Sequence, residues 1–335
     1  MSYSDPARTA GRSPVSPKLG ITVYGCAQDE AALFRAVAPR LGVEPTITEA
    51  AVSGASVELA IGNRCVSVDH KTRIPNPVIL ALSRAGVVYV STRSIGYDHI
   101  DVEYAASVGI TVENVTYSPD GVADYTVMLM LMAVRNARAT VRRVDVHDYR
   151  LTGARGKELR DLTIGVVGTG RIGSAVADRL RGFGCRIVAH DRFPTADRVP
   201  LDELLRLSDV VTLHTPLNAD THHLMDQCRI ARMKQGAVLV NTGRGSLVDT
   251  EALVAALESG KLGGAALDVV EGEEGIFYAD CRTRPIGNKA LLRLHGLPNV
   301  LISPHTAYYT DRALGDMVEN SLLNCVDFES GEQHG

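Results

Sequence analysis

Between residues 163 and 183 the chain reads TIGVV, then GTGRIG, then SAVADRLRGF: a short apolar run, three glycines at fixed spacing, and a stretch with helical periodicity. A strand that runs into a helix across glycines forms half of a βαβ unit, which commits the chain to a parallel sheet covered by helices. The pattern predicts a strand at Thr163–Val167, a helix at Ile172–Phe183 and a second strand at Arg186–His190. Gly168 permits the tight turn, Gly170 lets an anion approach the backbone, and Gly173 lets the helix pack on the strand. The helix N-terminus then faces a pyrophosphate, which points to a bound dinucleotide.

Asp191 closes the next strand, 18 residues after Gly173. A carboxylate there accepts hydrogen bonds from both ribose hydroxyls and repels a 2′-phosphate, so it favours NAD. Arg192 follows directly and is able to neutralise a phosphate, which leaves NADP open on the residues alone.

The same alternation extends to both sides. Upstream, strands are expected at Ile21–Tyr24, Cys65–Val68, Val87–Val90 and Thr111–Asn114, with a helix over Glu30–Leu41. The pattern breaks at Tyr117, Ser118 and Pro119, and a long helix is expected from Gly121 to Asp148. Downstream, strands are expected at Val210–His214, Val238–Asn241, Ala265–Val269 and Val300–Ser303, with helices at Leu201–Leu207 and Glu251–Ser259. The fold class is therefore α/β, with two Rossmann-like, doubly wound parallel sheets. At 335 residues the chain suits about two domains that need no disulfide or metal staple. Residues 1–17, rich in Ser, Pro, Arg and Gly, read as a flexible tail.

Composition excludes several function classes. With 35 basic against 39 acidic residues and a net charge of −4, no global basic field exists to grip nucleic acid. The longest apolar run, Val127–Val134, falls well short of the about 20 residues that cross a membrane. No signal-peptide core is present either, so a cytoplasmic protein is expected. Six cysteines (Cys26, Cys65, Cys185, Cys228, Cys281 and Cys325) lie far apart without a C-x-x-C pair. They read as reduced packing residues, and no metal ligands are predicted.

Reduction of a 2-keto acid requires a cation for the carboxylate, an acid for the developing alkoxide, and a partner that keeps the acid protonated. Candidates stand at the carboxyl ends of expected strands. Arg244 lies in the turn after Val238–Asn241, where its planar fork suits a carboxylate. His305 follows Val300–Ser303 and Pro304. Glu271, Glu273 and Glu274 form an acidic run after Asp268; a carboxylate near His305 favours its charged form, but spacing alone does not choose among the three.

Taken together, GTGRIG (168–173), NTGRGSLVDTEAL (241–253), GGAALDVVEGEEG (263–275) and SPHTAYYT (303–310) resemble the D-isomer-specific 2-hydroxyacid dehydrogenases over residues 19–330. The resemblance implies that the catalytic Arg, Glu and His are Arg244, Glu273 and His305. It implies substrate contacts at Ile95, Gly96, Tyr117 and Tyr308. Cofactor contacts are implied at Gly168, Gly170, Arg171, Ile172, Gly173, Asp191, His214, Thr215, Pro216, Thr242, Gly243 and Asp268. It implies an active-site cleft between a substrate domain (18–117 and 305–335) and an NAD-binding domain (118–304), and a homodimer contact along the helix that begins near Asp120.

Within the family, STRSIGYDHID (91–101), TYSPDGVADYTVMLMLMAVRNA (116–137) and EGEEGIFYADC (271–281) resemble the D-lactate dehydrogenase branch. GITVYGCAQDEA, LRGFGC, RMKQGA and KLGGAALDV are similar to the D-lactate dehydrogenases of vancomycin resistance, which supply D-lactate for cell-wall precursors. Some members of that branch carry Ser or Arg types where this chain has Asp191, so NADH is expected over NADPH. The expected reaction is reduction of pyruvate to D-lactate. The alternatives are a larger or different keto acid (2-ketoisocaproate, hydroxypyruvate or 3-phosphohydroxypyruvate) and a non-catalytic dinucleotide sensor. Formate dehydrogenation is disfavoured by Pro304 before His305, where that branch has Gln.

Overall fold

The computed structural model describes residues 19–331 apart from 152, 154 and 194–197. The expected tail, residues 1–17, lies outside the described residues. The chain divides into two compact units, one formed by residues up to Thr116 together with those from Met317, the other by Tyr117–Asp316.

The first unit runs β1 (Leu19–Val23), α1 (Gln28–Val37), β2 (Val43–Ile47), β3 (Cys65–Val68), α2 (Asn76–Arg84), β4 (Tyr89–Thr92), α3 (Val102–Ser107) and β5 (Thr111–Asn114). Its five strands are parallel in the order β2-β1-β3-β4-β5. Such a sheet buries both faces, which is why its inner strands β3 and β4 are buried along their whole length, with Ser67, Ser91 and Thr92 among their apolar residues. One face packs Val66, Val68 and Val90 against Ile79 and Leu82 of α2. The other packs Ile21 and Tyr89 against Phe34 of α1 and against Val318 and Leu322 of the C-terminal helix Asp311–Ser330.

The second unit runs α4 (Asp120–Val134), α5 (Ala137–Asp145), β6 (Thr163–Val167), α6 (Arg171–Arg181), β7 (Arg186–His190), α7 (Leu201–Leu207), β8 (Val210–Leu213), α8 (Gln227–Arg232), β9 (Ala237–Asn241), α9 (Thr250–Glu258), β10 (Leu262–Leu267), α10 (Lys289–Gly296) and β11 (Val300–Ile302). Its six parallel strands lie in the order β11-β10-β9-β8-β6-β7. Val176 and Leu180 of α6 pack with Met130 of α4 on one face, and Leu204, Leu253 and Leu294 of α7, α9 and α10 cover the other. The order reverses between β6 and β8, and in open α/β sheets such a switch point opens a ligand crevice outside the strands' carboxyl ends. None of the described helices is long and apolar enough to cross a membrane, and all six cysteines are free thiols.

The structure departs from the expected elements in two places. The helix expected over Gly121–Asp148 is two helices, because Asn136 adopts a left-handed φ of 52° that ends α4 at Val134. The strand β2 was not foreseen; it carries Pro45, which a ladder tolerates at a sheet edge. The two compact units divide at Tyr117 and Met317, and Asp268 holds the amides of Thr306 and Ala307 within the second unit.

An ion pair lies inside the first unit. The guanidinium of Arg93, 1% exposed, donates to Glu30 Oε2 at 3.2 Å, and the Glu30 side chain is 5% exposed. Arg93 also donates to the carbonyls of Tyr24 and Gly25 and to Ser67 Oγ, tying together the carboxyl ends of β1, β3 and β4. Removing one partner of a buried pair strands the other charge. Glu30→Ala is therefore expected to destabilise this unit by about 3–5 kcal/mol, measured as a lowered urea midpoint.

Candidate active site

At the switch point, β6 ends in Val167 and Gly168 turns with φ 89°. A Cβ at Gly168 would lie 2.7 Å from the His214 carbonyl oxygen, and one at Gly173 only 1.9 Å from the carbonyl oxygen of Gly168. Neither position accepts a side chain, so the strand, the turn and α6 close on one another as the sequence spacing implies. A Cβ at Gly170, the N-cap of α6, would meet nothing within 4 Å, which leaves room above the helix N-terminus. Ile172 packs inward against the α4 face of the sheet. Arg171 donates to the Tyr117 carbonyl at 3.0 Å, so in this structure it braces the entry to α4.

Asp191 Oδ2 accepts from the Thr169 amide at 2.7 Å and the Thr169 hydroxyl at 2.8 Å, and Oδ1 from the Phe193 amide at 3.3 Å. Burial pushes this carboxyl up, but the two Thr169 donors, then Phe193 and Arg198, outweigh it and hold it below the usual carboxylate range. Arg192 stacks its guanidinium over Phe193, 4.9 Å from the ring centroid. Opposite, on the loop after β8, the Thr215 hydroxyl oxygen is buried without a hydrogen-bond partner among the described residues. The Pro216 carbonyl is taken by Thr221 Oγ1. A glycine turn with open space, a charged carboxylate one strand away and an orphaned hydroxyl across the crevice fit a dinucleotide.

The remaining groups stand at the carboxyl ends of β9, β10 and β11. Asn241 shapes the turn that carries Arg244: its Nδ2 donates to the Arg244 carbonyl and its Oδ1 accepts the Gly243 amide. Thr242 is fixed by Thr126 of α4, hydroxyl to hydroxyl at 2.8 Å. Tyr117 lies within the electrostatic reach of Arg244; burial pushes its phenol up and the guanidinium partly offsets this. His305 Nδ1 lies 2.7 Å from Glu273 Oε1, and these side chains are 14% and 17% exposed. Glu273 Oε2 accepts the Val270 amide at 2.6 Å, which pins the carboxylate and selects it over Glu271 and Glu274.

His305 itself has a left-handed φ of 54°. That conformation persists only when its surroundings over-determine it, and they do. Its amide donates to the Asp268 carbonyl at 2.7 Å, and the Asp268 carboxylate takes the Ser303 hydroxyl and the amides of Thr306 and Ala307. Asp268, expected as a cofactor contact, thus has both oxygens engaged by the chain's own turn. Tyr308 meets the His305 ring edge-on at 6.2 Å.

The pattern that defines the D-isomer specific 2-hydroxyacid dehydrogenase NAD binding domain matches residues 127–307. A D-specific alpha-keto acid dehydrogenase of Enterococcus faecium is 59% identical over 318 residues, covering 94% of this chain and 99% of the relative. The chain belongs to the D-isomer specific 2-hydroxyacid dehydrogenases. It is similar to an Aquifex aeolicus D-lactate dehydrogenase, solved with NAD and lactic acid, at 32% identity and TM-score 0.84 over 93% of this chain and 96% of that one. It is also 36% identical to an aromatic 2-oxoacid reductase of Clostridium sporogenes over 92% of this chain and 96% of the relative.

This dehydrogenase is an oxidoreductase with an NAD-binding domain. Arg244, Glu273 and His305 all belong to its second unit. Ile95 and Gly96 belong to the first, in the loop after β4, with their carbonyls held by Asn114 Nδ2 and Ser94 Oγ. Sequence reasoning missed Tyr278, whose hydroxyl donates to the His305 carbonyl at 2.9 Å and whose own φ is 64°. A side chain that acts on a backbone carbonyl leaves no residue-type signature at the other end. The braces Asn241 and Ser303 sit inside recognisable motifs, but only their partners reveal their work.

His214, expected at the cofactor, carries an imidazole that burial pushes down to about 4, with Thr212 Oγ1 at 2.9 Å from Nε2. The unfolded chain, with the ordinary imidazole pKa of about 6.5, takes up this proton first as the pH falls. Stability is therefore expected to drop between pH 6.5 and about 4 by up to about 3 kcal/mol. Urea titrations across that window should show a flatter profile in His214→Gln.

Proposed function

We propose that this dehydrogenase reduces pyruvate to D-lactate with NADH as its preferred cofactor. The observation that carries the proposal is the Glu273–His305 pair, held at 2.7 Å by a turn that fixes both partners. Arg244 binds the carboxylate of the keto acid with its planar fork, and Ile95 and Gly96 enter as carboxylate contacts through the family pattern alone. With its pyrophosphate held at the glycine turn, a dinucleotide would supply the hydride from its reduced nicotinamide. His305 delivers the proton to the carbonyl oxygen as the alkoxide charge develops, and Glu273 keeps the ring oriented so that Nε2 is the donor. Tyr117 and Tyr308 limit the space on the methyl side, which favours a small substrate.

The contacts to the dinucleotide are assigned to Gly168, Gly170, Arg171, Ile172, Gly173, Asp191, His214, Thr215, Pro216, Thr242 and Gly243, whereas Asp268, with both oxygens taken by the turn that carries His305, is assigned to hold that turn. The Asp191 carboxylate, charged and beside Thr169, supports a ribose with free hydroxyls over a 2′-phosphate. The segments similar to the vancomycin-resistance branch support a cytoplasmic role in supplying D-lactate for D-alanyl-D-lactate precursors. Val127, Met128, Leu131, Met132 and Phe183 line an open apolar groove on α4 and α6, which supports a homodimer.

A larger keto acid is the second reading, favoured by the likeness to the aromatic 2-oxoacid reductase. Initial rates with pyruvate, 2-ketoisocaproate, phenylpyruvate and hydroxypyruvate, using NADH and NADPH and followed by product chirality, separate the two. Fast conversion of pyruvate to the D-isomer with an NADH excess supports the proposal; preference for the bulky acids replaces it. Cofactor binding without turnover on any of them leaves a dinucleotide sensor. With the preferred acid, His305→Ala is expected to lower kcat by about 100-fold or more, and Arg244→Lys to act mainly on KM by losing two-point binding.

A further inference from the structure

Behind the catalytic turn, a second cluster of side chains has no part in the reaction. His222 and His223 sit on the loop between β8 and α8, and Glu271 on the turn after β10. His223 Nε2 lies 2.8 Å from Glu271 Oε1 and His222 Nε2 lies 4.0 Å from the same oxygen. One ligand atom from each residue falls within 4.8 Å of the other two. The two rings stack with centroids 4.1 Å apart and planes 29° apart.

The segments that carry these donors are fastened to one another. The His223 amide donates to the Ser246 carbonyl, and Met225 bridges Val248. A Cβ on Gly245 would lie 2.2 Å from the carbonyl carbon of Val270 and 2.4 Å from the Glu271 nitrogen, so the Arg244 turn presses directly on the 270–271 backbone. Asn288 Nδ2 holds the Glu271 carbonyl, and Thr250 Oγ1 reaches Oε2 at 3.5 Å.

We propose that His222, His223 and Glu271 form an exchangeable site for a divalent transition metal of the zinc, cobalt or nickel class. Two imidazole nitrogens and one carboxylate oxygen suit these ions, whereas magnesium and calcium take oxygen ligands. Around a tetrahedral ion with bonds of about 2.0–2.1 Å, neighbouring donors stand about 3.3 Å apart. His222 therefore closes on Glu271 by less than about 1 Å and leaves the stack to approach the His223 donor, while Glu271 and His223 open slightly around the ion. Side-chain exposures of 55%, 35% and 33% for His222, His223 and Glu271 allow that rotation and leave the remaining position to water. Glu271 stands two residues before Glu273, so the bound ion fastens the turn that carries the catalytic carboxylate to the loop after β8.

The test is titration of the full-length metal-free protein with Co2+, read by visible absorption, and with Zn2+, read by calorimetry. His222 is the exposed ligand, so His222→Ala should keep the thermal unfolding curve of the metal-free protein. It is expected to weaken metal binding at least about tenfold, the minimum loss seen even for outer partners of metal sites; Glu271→Gln should do the same. Equal affinity in the parent and both variants, or absence of an imidazole-bound Co2+ spectrum, overturns the site. Loss of binding in Cys228→Ser, which removes the exposed thiol, also overturns it by placing the ion elsewhere.

Discussion

A carboxylate without exposed surface organises the catalytic end of the second unit. Asp268 follows β10, and its two oxygens collect the Ser303 hydroxyl and the amides of Thr306 and Ala307, while its carbonyl accepts the His305 amide. A buried charge is tolerated only when its hydrogen-bonding capacity is filled, and here the filling comes from one turn. That turn forces His305 into a left-handed backbone and aims its ring at Glu273. Tyr278 closes the arrangement from the other side through the His305 carbonyl. The proposed proton donor is thus set by backbone bonds to a neighbouring strand end rather than by its own local preference.

The crevice at the β6–β8 switch point is governed by a different constraint, that of close backbone approach. Gly168 and Gly173 bring the turn, the His214 carbonyl and α6 into contact. Asp191 spans back to Thr169, so the carboxylate proposed to face the ribose also holds the middle of the glycine turn. Across the crevice, the unpartnered Thr215 hydroxyl is the kind of buried orphan that a ligand satisfies.

The four histidines of these loops show how environment assigns different work to one side chain. His214 is half-buried, and desolvation pushes its imidazole down. His305 is paired with Glu273, and both side chains are mostly shielded from solvent. His222 and His223 face Glu271 at the surface, where water and ions reach them. Glu271 and Glu273 share a turn yet point at different histidines, so the proposed metal site and the catalytic pair are mechanically adjacent.

Much of this was legible in the sequence, since alternating apolar runs and helical stretches specify parallel sheets through periodicity alone. The glycine spacing at 168–173 located the tight turn between β6 and α6, and Arg244, Glu273 and His305 stood at strand ends in recognisable motifs. Tertiary structure decided what periodicity does not encode. The left-handed Asn136 broke one expected helix into two, and an edge position admitted Pro45 into a strand. It also chose Glu273 from three neighbouring acids by geometry, and brought Glu271 to histidines 48 positions earlier in the chain. Local pattern fixes which elements form because it acts within a few residues; which side chains meet depends on contacts between strand ends far apart in sequence.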